Sequence, residues 1–364
     1  MQIEQFKDTV KSCRFCFMCR HLSAVGNVTF SETDTPRGRA LLLDRALKDP
    51  NLLADASVIE TIYKHECSAS CRMHCVSHFD ETGLILAARR DTVSEKNEPE
   101  IVRQVKEKLL SSGNPYSGKS AGTGIIITDK ASEKADLLLY TGTDAWHAPQ
   151  AAAAAFTLLD KLQVPFKILK NEASTGKALS VLGYSSDARA QAEKCFKQIA
   201  ASGCRKIIPL APGDYDALKN DFPAFNLKFS EDIELISFTE YISKIIRQKK
   251  IIPRTPQKNT GFLPSDFFRN YSDIPGAKII QETIPGFSFA RYFSNSEESF
   301  SCGEGAIIYD LLYPDLAQKM VQRIISAVPA NSQLIAESAY TASIIRKNGF
   351  NSVKTPAEFM LELV

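Results

Sequence analysis

Three cysteines in the spacing C-x2-C-x2-C, at Cys13, Cys16 and Cys19, constrain this chain more than any other feature. That spacing wraps a short turn of backbone around a cubane and delivers three thiolates to three irons. Soft thiolates select iron–sulfur clusters or zinc over metals that prefer hard oxygen ligands. A complete bacterial ferredoxin run carries a fourth cysteine after three further residues, then a proline. Ser23 and Ala24 stand at those positions. The fourth thiolate must therefore come from elsewhere.

A second group follows at Cys67, Cys71 and Cys75. In two-cluster ferredoxins the last cysteine of each run ligates the cluster of the other run. Cys71 and Cys75 have the C-x3-C spacing that ends such a run, so Cys75 is the expected fourth ligand for Cys13, Cys16 and Cys19. One [4Fe–4S] cluster is expected. A second would have to use Cys67 and Cys71 with a histidine or an outside group, and stays open. The same six cysteines also suit a structural zinc site, helped by His21, His65, His74 or His78. Zinc ribbons, however, pair C-x2-C motifs rather than tripling them.

The remaining cysteines, Cys195, Cys204 and Cys302, are scattered. Cys195 falls on a helical stretch and Cys204 opens an apolar strand, so both read as small core residues. Six clustered cysteines in a chain whose start, MQIEQFKDTV, lacks a secretory pattern point to metal rather than disulfides. No apolar run is long enough to span a membrane. A net charge of +2 predicts no strong attraction to nucleic acid. The cytoplasm is the expected compartment.

At 364 residues the chain is too long for one core. Residues 1–112 hold the cysteine groups and charged helical stretches, including LLLDRALKDP and EIVRQVKEKLLSSG. The segment GNPYSGKSAGTG reads as a boundary. Its Gly-Lys-Ser is a near miss to a phosphate-binding loop, with the upstream glycine misplaced and no strand before it. From 123 to 250 strands and helices alternate: ADLLLYTG, PFKILKN, CRKIIPLAP and IELISF as strands, with helices between. RQKKIIPRTPQK reads as a linker. From 259 to 364 the order repeats, with AKIIQETI and SQLIAESA as strands. Such alternation implies parallel sheets covered by helices. The run from Asp187 to Phe222 matches that from Asp315 to Phe350, and Ser174-Thr175-Gly176 aligns with Ser301-Cys302-Gly303. The offset of about 127 residues suggests an internal duplication.

These features resemble the iron–sulfur subunits related to the D-type subunit of heterodisulfide reductase and to the glycolate and anaerobic glycerol-3-phosphate dehydrogenases. The resemblance rests on the first cysteine run, on Thr35-Pro36-Arg37-Gly38-Arg39-Ala40 after it, and on the tandem α/β pattern. It implies a helical ferredoxin-type domain followed by two Rossmann-like parallel-sheet halves. It implies electron transfer to or from a flavin-containing dehydrogenase subunit, an electron-transfer flavoprotein or another carrier. Arg37 and Arg39 would place positive charge beside the cluster, or tie their loop to acidic neighbours. The family's C-C-G motifs are degenerate here. Ser174-Thr175-Gly176 and Ser301-Cys302-Gly303 retain a single cysteine, too few to hold a cluster. Disulfide chemistry is therefore not expected, and the glycines are expected to preserve a turn.

Two other features stay open. Gly303-Glu304-Gly305 is too short for a dinucleotide fingerprint. Asp144-Ala145-Trp146-His147 follows the first strand, where open α/β sheets bind ligands, or else it packs and caps a helix. With Cys302 it frames an alternative in which the halves bind a substrate between them. A zinc-stabilised interaction protein is the remaining alternative.

Overall fold

The computed structural model describes residues 1–14, 16–116, 131–132, 134–292 and 300–364. Most of the boundary segment after Tyr116 lies outside the described residues. Before it the described chain consists of helices and connecting turns, with no strand. Pro36–Lys48 forms a helix because Thr35 caps it, accepting from the Gly38 amide, with Pro36 in the first turn. Glu100–Ser112 ends at Gly113 in a left-handed turn. Ala40, Leu43, Ile62, Leu84 and Ala88 close this layer's core.

Two three-stranded parallel sheets follow. The first has the order β1 (Leu137–Tyr140), β2 (Lys206–Pro209), β3 (Glu234–Leu235). The second has β4 (Thr260–Leu263), β5 (Gln333–Ala336), β6 (Val353–Lys354). Each first strand gains a parallel bridge on its outer side, Leu138 to Lys167 and Gly261 to Ala290. The strands are short, and β1 and β5 are buried along their whole length, as befits strands covered on both faces. The C-terminal helix Pro356–Leu363 packs on helix Pro149–Lys161, so one apolar core joins both halves.

Two strand readings need correction. AKIIQETI is a helix, Gly276–Thr283, whose buried Ile280, Thr283 and Ile284 recur at helical spacing. The strand of that half is instead Thr260–Leu263, a segment with Gly261 inside it and Pro264 after it. PFKILKN contributes only the bridge at Lys167. The other apolar strands stand, although IELISF supplies only Glu234–Leu235.

The helical layer is tied to both halves through buried polar groups. The Arg89 guanidinium, wholly buried, donates to the carbonyls of Ile62, Tyr63, His65 and Val181. Tyr271 Oη donates to the Cys67 carbonyl at 2.7 Å and Asn270 Nδ2 to the Ser68 carbonyl at 2.7 Å. The second half thus grips the backbone of the second cysteine segment. These bonds satisfy carbonyls that burial would otherwise leave bare, at a cost of about 1–3 kcal/mol each.

Candidate metal centre

Five of the six N-terminal cysteines line one cleft: Cys13, Cys16, Cys19, Cys71 and Cys75. Two cysteine segments far apart in the chain are brought together there. Cys16 is exposed, Cys13, Cys19 and Cys75 are partly buried, and Cys71 is buried. Cys67 does not line the cleft. Its sulfur lies 3.5 Å and its amide nitrogen 3.0 Å from His65 Nδ1. Its backbone is left-handed, with φ 54°. No three His, Cys, Asp or Glu side chains among the described residues are grouped as on a single metal ion.

The element Thr35-Pro36-Arg37-Gly38-Arg39 builds the cleft wall. The Arg37 amide, in the first turn of its helix, donates to the Cys19 sulfur and favours its thiolate. Burial acts more strongly, and with Glu81 nearby it pushes the Cys19 thiol up to about 12. A helix N-terminus is the end that favours negative charge. The Arg37 side chain stands at the cleft rim. Its Nε sits 2.7 Å from Glu32 Oε1 and its guanidinium lies over the Phe17 ring at 4.5 Å. Gly38 permits the approach of the preceding turn: a Cβ there would lie 1.9 Å from the Glu32 carbonyl oxygen. Arg39 is buried and meets Glu81 Oε1 at 2.9 Å. Both arginines therefore bond acidic neighbours.

Glu81 is a site residue that sequence reading missed. Its Oε2 lies 3.2 Å from Cys71 Sγ and 3.4 Å from His65 Nε2. Burial opposes its charge, but His65 and Arg39 outweigh burial and hold its carboxyl at about 2. His65 is raised to about 9, since attraction to Glu81 overcomes its own burial. Burial and the Glu81 charge drive the Cys71 thiol well above its ordinary value. Cys71 thus keeps its proton and donates it to Glu81. No spacing rule marks Glu81. Its only local signal is its place after Asp80, which caps a helix through the Gly83 amide.

The degenerate motifs occupy matching positions. Gly176 and Gly303 both adopt left-handed backbone, with φ 82° and 102°. Thr175 Oγ1 donates to Asp214 Oδ1 at 2.5 Å, and Cys302 Sγ lies 3.8 Å from Thr341 Oγ1. Cys302 is wholly buried, and burial raises its thiol strongly. Buried carboxylates fill the loops after the first strands. Glu172 accepts from the Thr141 and Gly142 amides, and Asp214 from Thr143. In the second half Glu337 accepts from the Ser265 amide and Glu304 from that of Asp266. His147 is buried between the rings of Tyr116 and Tyr340, at centroid distances of 4.8 and 4.7 Å. Cys195 and Cys204 are buried in the first half's core.

No helix among the described residues is long and apolar enough to cross a membrane. Comparison with known proteins finds relatives at low identity. The chain is 26% identical to the D-type subunit of the dihydromethanophenazine:CoB–CoM heterodisulfide reductase of Methanosarcina barkeri, over 82% of this chain and 76% of that protein. It is 24% identical to the probable iron–sulfur-binding oxidoreductase FadF of Bacillus subtilis, over 71% of this chain but 39% of FadF. It is 23% identical to the EtfAB:quinone oxidoreductase of Syntrophomonas wolfei, over 57% of this chain and 31% of that protein. No family model matches, and no solved structure matches. The chain is thus similar, at low identity, to a probable iron–sulfur-binding oxidoreductase and to D-type subunits of heterodisulfide reductase.

Proposed function

We propose that the chain is an electron-transfer subunit holding one [4Fe–4S] cluster through Cys13, Cys16, Cys19 and Cys75. The observation that carries this is the meeting of two remote cysteine segments at one cleft, with the Arg37 amide directed at the Cys19 sulfur. When bound, the cluster supplies one-electron chemistry at a potential set by its charge, sulfur hydrogen bonds and burial. The chain's own groups do the positioning. The helix amide of Arg37 stabilises the Cys19 thiolate. Cys71 Sγ is engaged by Glu81 at the back of the cleft, and Cys75 is the proposed fourth thiolate. Arg39 and His65 neutralise Glu81 behind the cleft.

The partner on this reading is a flavin-containing dehydrogenase or an electron-transfer flavoprotein. The name of one relative, EtfAB:quinone oxidoreductase, supports a flavoprotein link. The α/β halves act as scaffold. Their equal strand order, equal outer bridges and paired left-handed glycines support an origin by duplication. We do not carry heterodisulfide reduction to this chain, because Thr175 and Cys302 stand where several thiolates are needed. Catalysis by Cys302 is disfavoured by its full burial and raised thiol.

Anaerobic purification followed by iron, sulfide and zinc analysis tests the proposal, with electron paramagnetic resonance of the reduced protein. About four irons and four sulfides per chain are expected for one cubane, and about eight for two. Stoichiometric zinc without iron or a cluster signal would refute it.

A further inference from the structure

The mouth of the cysteine cleft is unusual in two respects at once. Three large apolar side chains stand out around it. Phe17 is 69% exposed, Met18 54% and Val76 84%. Met18 and Val76 line the cleft itself, and Phe17 stacks on the lining residue Arg37. Elsewhere in the described chain large exposed apolar side chains do not gather at a cleft that also holds cysteines. Grouped apolar exposure beside a site marks an interaction surface.

The charge around that apolar group is predominantly positive: Arg14, Arg20, Arg37 and Arg72 outnumber Glu32, which pairs with Arg37, and Asp80, near Arg72. Among the cleft-lining residues are two guanidiniums, Arg14 and Arg37, and no carboxylate. Arg20 and Arg72, both exposed, follow Cys19 and Cys71 directly in the chain. Arg14 and Arg20 take part in no ion pair among the described residues, and Arg72 only reaches Asp80 at 3.8 Å. Glu81 lies behind the cysteines and is already neutralised by Arg39 and His65. The net charge of the whole chain is only +2. Any steering of a partner must therefore arise from this local collar and not from the molecule as a whole.

We infer that the cleft mouth is the docking surface for a redox protein with an acidic collar around an apolar contact. This rests on the electron-transfer reading above. The apolar trio supplies the close contact over the cysteines, and Arg14, Arg20 and Arg72 set orientation and encounter rate. Rim charges of this kind govern association rate and its salt dependence more than intrinsic affinity. A bound cluster would be oxidised by one electron as the partner is reduced by one, with no bond made or broken, and Cys16 is its most exposed proposed ligand.

The test uses one haem protein in two charge forms, native basic cytochrome c and its succinylated, acidic form. Equilibrium binding to the full anaerobically purified chain is measured first. Electron transfer from the dithionite-reduced, desalted chain to each ferric form is then followed by haem absorbance. The acidic form should bind and react about tenfold faster or tighter at low salt, with the advantage lost at high salt. Arg20→Glu with Arg72→Glu, neither of which lines the cleft, should reduce or reverse that preference while iron content stays unchanged. Phe17→Ser with Val76→Ser should weaken binding of the acidic form without altering its salt slope. Equal behaviour of the two haem forms would overturn the inference, as would arginine variants that slow both forms alike through a shifted potential. A wild-type chain without iron or sulfide would sink the electron-transfer reading and this inference with it. A loaded cluster with no charge preference would sink this inference alone.

Discussion

Cys71 Sγ donates to Glu81 Oε2 across 3.2 Å at the back of the cysteine cleft. The carboxylate is buried, and the Arg39 guanidinium occupies its other oxygen at 2.9 Å. Removing one member of a buried ion pair leaves the other charged and uncompensated, which costs about 3–5 kcal/mol. Glu81→Gln should therefore lower unfolding stability by several kcal/mol in denaturant titration. The loss should exceed that of Glu32→Gln, whose pair with Arg37 is far more exposed. Equal losses would show that the buried network is not a main support of the cleft.

The thiol–carboxylate contact also ranks the cysteines. Cys75→Ser should abolish the cluster, read as lost iron, sulfide and visible absorption. Cys67→Ser should retain it, because Cys67 faces His65 and Arg89 rather than the cleft. Loss of iron in Cys67→Ser with a normally folded far-ultraviolet spectrum would reverse this assignment.

Gly38 sits where any side chain would strike the Glu32 carbonyl. Gly38→Ala should displace the helix start and withdraw the Arg37 amide from Cys19. Overpacking of this kind costs about 1–3 kcal/mol. A shifted midpoint potential, or reduced cluster occupancy, is the measurement that separates this from a bland stability loss.

His147 supplies a pH prediction. Burial, with the Lys347 charge in support, lowers it to about 3 in the folded chain, from its ordinary value of 6.5. A depressed value means the folded state resists protonation. Its contribution is intact above about pH 6.5 and is lost as pH falls from there towards 3. At pH 4 the loss is roughly 3 kcal/mol by linkage. His147→Phe, which keeps a ring between Tyr116 and Tyr340, should flatten the stability profile between pH 6.5 and 4 in denaturant titrations. An unchanged acid slope would exclude His147 as its source.

The triple at Cys13, Cys16 and Cys19 and the Thr35-to-Arg39 element were readable in the sequence because their chemistry is local. A cysteine spacing fixes which thiolates one turn can present. Thr-Pro before a helix is a capping signal, and Gly38 answers a contact only six residues away in the chain. The alternation of apolar runs likewise announced parallel sheets. The reading failed where local propensity was ambiguous. AKIIQETI has the isoleucines of a strand but their burial follows a helical face, and Thr260–Leu263 hides behind a glycine.

What the tertiary structure alone decided is which distant groups meet. Spacing set Cys71 and Cys75 apart from Cys67, and those two line the cleft. The second half grips the Cys67 and Ser68 carbonyls and turns Cys67 towards His65. Glu81 acquires its role from Arg39, His65 and Cys71, which lie on other segments of the chain. Convergence of that kind depends on packing between elements, which no spacing along the chain encodes. The cysteine triple thus marked the candidate site in the sequence, and the fold decided which distant cysteines and carboxylate meet it and which face stays open.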